Sequence, residues 1–441
     1  MNTTLRTGTL LALLGSAWLR GPFQNLRHHL ARLGRLPRHR AFARVAWHDQ
    51  LRHFTGSVQP VDGACRQRAH ATAEWLVRAW EATPDDGISE GYFPCDPAEY
   101  PPSVPGWRPS CPESPGAVPL PSPGWRPSCP ESTGAVLASL LDYALRFSDA
   151  VMRERVLAMA RWAADLQRPS GAIQTTPDSS RSMPLLTTGQ MLHGFAALLE
   201  HEPDLRIEQA ARRAADFLLT RLKVEEQTPP SLRTLQANQV LMAWGLYRFG
   251  MQNGIPGYRD AALRLARNTL TLQQENGWFA RNDPARQSAP RTLAIAQTLQ
   301  GLLETGIASN DTTLIDAARR GTLPMVRLIR SDGFLPGRWR ADWSHASSAA
   351  CLTGSAQLSV VCFRLHQTLG DTTFLEAGHR LVDFLKGIQV LDGFDSPMHG
   401  ALAGSFPLFF GPFQSAGFPS LASQNLLDAL LLQDRILEVC E

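Results

Sequence analysis

Long apolar runs are missing from this sequence. No stretch approaches the roughly 20 residues that cross a bilayer, so no integral membrane segment is expected. An excess of one charge is missing too: 43 Lys and Arg against 40 Asp and Glu leave a formal charge of +3, which makes no global case for nucleic acid as a partner. The seven cysteines are odd in number, irregularly spaced and without a Cys-x-x-Cys pair. That argues against a disulfide framework and for a reduced, cytoplasmic protein. The apolar segment from Thr9 to Leu19 follows Arg6, but it lacks a small-x-small cleavage site and runs into Arg20-Gly21-Pro22, so it is not read as an export signal.

What is present is an ordinary globular composition, 44% apolar and 19% charged, ordered by a repeat. An amphipathic helix recurs, followed by a polar residue, a glycine and an apolar residue: Asp86-Gly87-Ile88, Ser170-Gly171-Ala172, Asn276-Gly277-Trp278, Asp332-Gly333-Phe334 and Asp392-Gly393-Phe394. Glycine there suits a left-handed helix C-cap. A degenerate turn near Lys223–Pro230 fills the one double-length gap and gives six units. A second helix follows each turn, with hydroxyl residues where an N-cap is expected: Ser132-Thr133-Gly134, Thr187-Thr188-Gly189 and Thr353-Gly354. These second helices, such as Leu293–Leu303 and Ala356–Leu365, are apolar nearly all round. The first helices, such as Arg153–Leu166 and Tyr258–Leu272, keep a polar face. A helix apolar on most sides is buried and one with a polar face borders solvent. The expected fold is therefore all-α, an (α/α)6 toroid of six hairpins with inner and outer rings over residues 60–441, preceded by a basic extension over residues 1–59. The arginines of that extension, among them Arg27, Arg32, Arg35 and Arg38, read as a solvated face or as a contact for a protein partner.

Three units carry Gln-x-x-x-Gly: Gln167 to Gly171, Gln273 to Gly277 and Gln389 to Gly393. This resembles the Gln-Trp repeat of terpene cyclases and their relatives. The wider pattern looks like the six-hairpin group of carbohydrate-active enzymes. The stretches Gly124-Trp125-Arg126-Pro127-Ser128-Cys129-Pro130-Glu131 and Cys351-Leu352-Thr353-Gly354 resemble bacterial toroids associated with polysaccharide biosynthesis. These likenesses span roughly residues 60–437 and imply fold more than chemistry. The sequence Pro-Gly-Trp-Arg-Pro-Ser-Cys-Pro-Glu-Ser occurs twice, at Pro105–Ser114 and Pro123–Ser132. Prolines after the first copy forbid a continuous helix, so the second copy is expected to hold the structural positions and the first an extra loop.

In such a ring the inner helices run in parallel. Their N-termini, with partial positive charge, converge at one mouth together with the long loops. Those loops hold the candidates. Glu131, Asp342, His345 and His399 are the catalytic candidates, and Trp125, Arg126, Trp278, Arg291, Arg338, Trp339 and Trp343 the substrate-binding ones. Glu90, Asp283 and Asp395 are further acids of the same loops. Flat aromatics stack on sugars or enclose a prenyl chain, and Arg grips carboxylate through two parallel hydrogen bonds. The bland reading stands beside this: loop aromatics pack their own small cores, Glu131 complements a helix dipole, and Cys351 is a buried thiol rather than an activated one.

Three function classes follow. The first is an enzyme on an acidic, uronate-containing saccharide, acting by hydrolysis with paired carboxylates, or as a lyase or epimerase with His345 or His399 as base and Arg126, Arg291 or Arg338 as clamp. The second is a non-catalytic glycan-binding or scaffold toroid. The third is an isoprenoid enzyme, for which the Asp-x-Asp-Asp acid motif and the compact Asp-x-Cys zinc signature are both lacking, although Asp342, Cys351 and His399 are zinc-ligand types. An adjacent Cys-His pair is also lacking, which removes a lanthionine-cyclase-like reading. No metal and no cofactor is expected.

Overall fold

The computed structural model describes residues 40–56, 58–61, 64–94, 124–173, 184–229, 234–283, 287–391, 393, 396–408, 413 and 417–440. The first copy of the duplicated segment lies outside the described residues, as do Asp392, Phe394 and Asp395. Helix α1 (Arg40–Thr55) precedes the ring. Six outer helices follow: α2 (Cys65–Glu81), α4 (Ala150–Asp165), α6 (Leu205–Gln227), α8 (Pro256–Leu270), α10 (Thr312–Arg327) and α12 (Thr372–Ile388). They alternate with six inner ones: α3 (Pro130–Arg146), α5 (Pro184–Leu199), α7 (Leu241–Gln252), α9 (Thr292–Ser309), α11 (Leu352–Leu369) and α13 (Ser420–Cys440). Each inner helix packs on the next, and α13 packs on α3, so the inner ring closes. The chain is an (α/α)6 toroid.

The phase of the repeat differs from the sequence reading. The tight hairpin joins each inner helix to the outer helix after it, and α2 completes the circle against α13. These short connections end in aspartates: Asp149, Asp204, Asp311 and Asp371 each accept a backbone N–H of the following outer helix and so cap it. Helix α8 uses Pro256 in its first turn instead.

The inner helices begin differently. Helices α3, α9 and α11 follow Cys129, Arg291 and Cys351, none of which caps with its side chain. The hydroxyls expected at the N-caps lie inside the helices and bind the preceding turn instead. Thr133 Oγ1 accepts from Ile88 N at 3.1 Å and Thr188 Oγ1 from Ile173 N at 2.9 Å. The starts of α3 and α5 are thus clipped to the segments that lead into them.

The glycine turns dock the units together. Gly171, Gly277, Gly333 and Gly400 have φ of 86°, 85°, 84° and 85°. At each, an added Cβ would meet the carbonyl of the next outer helix: Arg213, Arg320, Arg380 and Ala71. Gly393, the sequence candidate for the last turn, has φ 69° and meets nothing closer than 3.9 Å. The repeat position is Gly400, since seven extra residues separate it from Gly393. The glutamines span these joints. Gln167 Nε2 donates to Gly171 O and Ala210 O, both at 2.9 Å, and Gln389 Nε2 donates to Gly400 O at 3.0 Å and Thr72 Oγ1 at 2.8 Å. Their role is structural, as the resemblance implies, but they clasp neighbouring outer helices rather than their own helix end.

Short strands tie the loops at the N-terminal mouth. β1 (Gly91–Phe93) pairs antiparallel with β2 (Gly124–Trp125) and, on its other side, with the late strand Phe418–Pro419; Ala350–Cys351 pairs with Ser405–Phe406. The mouth is a hydrogen-bonded collar on a rigid ring. No described helix is long and apolar enough to cross a membrane.

Candidate active site at the mouth of the inner ring

Glu131 occupies the first turn of α3 and is half-buried. Burial, and then the neighbouring Glu90, hold its carboxyl above the ordinary carboxylate range, while Arg291 pulls the other way. Here desolvation outweighs the favourable helix dipole. The Cys129 thiol reports the same negative field: burial first, then Glu131 and Glu90, push it up to about 12. Glu90 is set by the segment leading to β1, where its N–H donates to Pro127 O and its carbonyl accepts from Ser420 N at 2.9 Å.

Arg291 precedes α9, which stands across the ring from α3. Arg291 and Glu131 thus stand at the starts of opposite inner helices, and the charge of each acts on the other from across the ring. Arg291 Nε donates to Asp283 Oδ2 at 2.9 Å; the Arg291 side chain is 40% exposed and that of Asp283 is sealed. Burial opposes the guanidinium charge, but Asp283 more than restores it, with Cys351 and Glu131 adding to the effect. The bond engages Nε, and the Arg291 side chain keeps its exposure. Arg338 lies beside it through the bridge of Arg291 to Arg338; its guanidinium donates to Ala289 O at 3.0 Å and stands 5.1 Å from the Phe413 ring centre. The Cys351 thiol is pushed up by burial, against the pull of Arg291 and Arg338, so it is no activated nucleophile.

Other candidates are placed elsewhere. Asp342 is exposed and accepts from Ser344 N at 2.9 Å and Ser344 Oγ at 2.7 Å, which fixes a surface turn and holds its carboxyl below the ordinary range. His345 is exposed on the same hairpin, paired back to Trp339. Trp339 is sealed and its indole N–H donates to Thr292 Oγ1 at 2.9 Å. Trp278, Trp343 and Trp339 form an edge-on row, with centroids 5.1 and 6.4 Å apart. The densest polar and aromatic stretch of the sequence is thus a surface hairpin whose tryptophans anchor it to the main core and to the Asn276 turn. His399 directly precedes Gly400, the turn position that Asn276 and Asp332 fill in other units, and its carbonyl accepts from Arg78 of the outer helix α2. That is the outer side of the ring. Trp125 packs on Trp75 and Tyr92, with centroids 5.3 Å away in both cases. The Arg126 guanidinium lies 5.0 Å from the Phe93 ring centre.

The loop-centred reading missed the lumen itself. Along each inner helix most residues are sealed, but a stripe at spacings of four and three keeps some exposure. On α3 it runs Glu131, Ala135, Ala138, Asp142; on α9 it runs Leu293, Gln297, Gln300, Glu304. Such spacing follows one helix face, and the one face not covered by neighbouring helices looks into the ring. Its lowest tier is charged and fully paired. Arg364 grips Glu304 at 2.7 and 2.9 Å, Arg248 grips Glu200 with Nε at 2.9 Å, and Arg435 meets Asp142. The three pairs link α9 to α11, α7 to α5 and α13 to α3 and close the far end. Among the described residues no group of three or more His, Cys, Asp or Glu side chains could hold a metal ion.

With this geometry in place, the comparisons with known proteins take on meaning. No protein-family model and no curated protein matches the chain. Solved structures do. An unsaturated glucuronyl hydrolase specific for heparin has a TM-score of 0.64 at 11% identity, over 85% of this chain and 98% of that one. A D-mannose isomerase has 0.59 at 12% identity, over 85% and 98%. A polysaccharide lyase has 0.50 at 12% identity, over 70% and 90%. All share the α/α toroid, which is the fold of this chain.

Proposed function

We propose that this protein is a carbohydrate-active enzyme that cleaves a uronate-containing saccharide at the N-terminal mouth of its inner ring. One observation carries the reading: a half-buried carboxyl, Glu131, kept protonated to higher pH by burial and Glu90, faces a charged Arg291 from the opposite wall. A carboxylic acid of that kind is a general acid. Glu131 donates its proton to the glycosidic oxygen as the bond breaks. Glu90 is the second carboxylate, placed to activate water or to meet the developing positive charge at the sugar carbon. Arg291, held by Asp283, binds the uronate carboxylate through its terminal amino groups, and Arg338 adds positive field.

Hydrolysis is favoured over lyase or epimerase chemistry, because His345 is exposed on a surface hairpin and His399 docks through its carbonyl on the outer helix α2. The toroid neighbours support the substrate class: two of the three are a glucuronyl hydrolase and a polysaccharide lyase. The four described free cysteines, Cys65, Cys129, Cys351 and Cys362, are buried, in keeping with a cytoplasmic role on fragments of a bacterial polysaccharide. The test is incubation with saturated and unsaturated uronate oligosaccharides, neutral oligosaccharides and prenyl diphosphates, with products separated by mass. Cleavage confined to uronates, and lost in Glu131→Gln, supports the proposal. Turnover of prenyl diphosphates, or uronate cleavage equal in Glu131→Gln, would overturn it.

A further inference from the structure

Below the mouth the lumen changes character. One to two and a half helical turns in, about 5–14 Å at 1.5 Å per residue, the stripe residues are Gln190 and His193 on α5, Trp244 on α7, Gln297 and Gln300 on α9, and Gln357 on α11. Gln297 and Gln300 keep 5% and 9% exposure, while Thr298 and Leu299 between them are sealed. The amides are oriented by one another. Asn238 Nδ2 donates to Gln297 Oε1 at 3.1 Å and Gln357 Nε2 to Gln300 Oε1 at 2.7 Å. Each relay ends on an amide nitrogen, Nε2 of Gln297 or of Gln300, for which the described residues supply no acceptor. The His193 ring lies on Trp244 with centroids 3.8 Å apart and planes 33° apart, forming a two-ring plate at the same depth.

From this arrangement we infer that the ring interior beneath Glu131 and Arg291 is a second subsite, which takes an uncharged, hydroxyl-rich sugar ring, so that the saccharide enters with its neutral residue innermost and its uronate at the mouth. The inference rests on the reading of the mouth as a uronate site. Hydroxyls both donate and accept, as amides do, and a flat aromatic plate suits the apolar face of a pyranose. Among the described residues, a carboxylate at this depth finds no available counter-charge. Arg364 and Arg248 are engaged by Glu304 and Glu200. Asp428, on the α13 wall of the same lumen, is itself a carboxyl, hydrogen-bonded to Gln424 at 2.6 Å. Burying an anion there without a partner is costly. The axis therefore runs from an ionic mouth, through a belt of amides and aromatics in which Asp428 is the described carboxyl, to a floor of paired charges.

The test is calorimetric titration of Glu131→Gln protein, which cannot turn over substrate, with two probes: cellobiose as the neutral sugar and glucuronic acid as the uronate. Second-site changes Trp244→Ala and Gln300→Leu are each expected to weaken cellobiose about tenfold, the size of one lost hydrogen bond or stacking face, and to leave glucuronic acid unchanged. Arg291→Ala is expected to do the reverse. Should Trp244→Ala fail to fold, Gln300→Leu, which keeps the side-chain volume, gives the same readout. If cellobiose binds in a Gln300-dependent way and glucuronic acid does not bind, the mouth reading fails and the interior subsite stands. If glucuronic acid binds through Arg291 and cellobiose does not bind, or if Gln300→Leu weakens glucuronic acid as much as cellobiose, the interior subsite is overturned.

Discussion

The two ends of the inner ring solve opposite problems. At the C-terminal end the connections are short, outer helices are capped by aspartates, and every stripe carboxylate named there meets an arginine of the adjacent helix. At the N-terminal end the connections are long, and Glu131 feels the charge of Glu90 while the cation that acts on it, Arg291, is already claimed by Asp283. Paired charge at one end stabilises the scaffold; imperfectly paired charge at the other is what chemistry requires. Long loops positioned by a rigid frame are where such imperfection can be kept.

The sharpest way to break this contrast is to neutralise Glu131. Glu131→Gln should lower cleavage by at least about a hundredfold, the typical contribution of a general acid, while melting at neutral pH stays level or rises. The sign follows from the raised pKa: the native state binds this proton more tightly than the unfolded chain, so the group's stabilisation is present below the ordinary carboxylate pKa and is lost as pH rises through the shifted one. At the floor the balance reverses. Glu304→Ala takes from Arg364 its carboxylate and leaves it Gln367, and should cost about 1.5–3 kcal/mol in urea unfolding, with little effect on turnover by the folded fraction.

Smaller effects refine the picture. Arg291→Lys keeps the charge but loses the fork, and should raise KM about tenfold with kcat less affected. Asp428 is pushed up to about 7, by burial first and by Asp142 among the rest. Its contribution to stability should fade between about pH 4 and pH 7, and a series of melts should show that Asp428→Asn removes this slope. Gly400→Ala should cost more than Gly393→Ala, by about 1–3 kcal/mol, because only Gly400 presses on Ala71.

Those glycines also show how far the sequence could be read. The turn pattern and the contrast between amphipathic and apolar helices disclosed six hairpins, because a ring buries one set of helices on every side but one. The last turn was misplaced because an insertion detached Gly400 from its glutamine, and spacing alone cannot see which glycine meets a carbonyl. Glu131 and Arg291 were legible as charged residues at inner-helix starts. Asp342, His345 and the tryptophans beside them were prominent by local density, yet density over a few residues anchors a surface hairpin as readily as it builds a site. The lumen stripe was written in the sequence as well, in Gln297, Gln300 and Glu304 at helical spacing within an otherwise apolar helix. Loops on a rigid frame hold function more often, and within an apolar helix so sparse a polar stripe is indistinguishable by spacing from buried, satisfied amides.

The most direct measurement of the central claim is the pH dependence of uronate cleavage by the wild-type protein and Glu131→Gln. A rate that falls on the alkaline side, with an apparent pKa above the ordinary carboxylate value, and a variant inactive at every pH are the predicted result. A rate flat through that range, or a variant as active as the wild type, would contradict the assignment of Glu131 as the proton donor at the mouth of the ring.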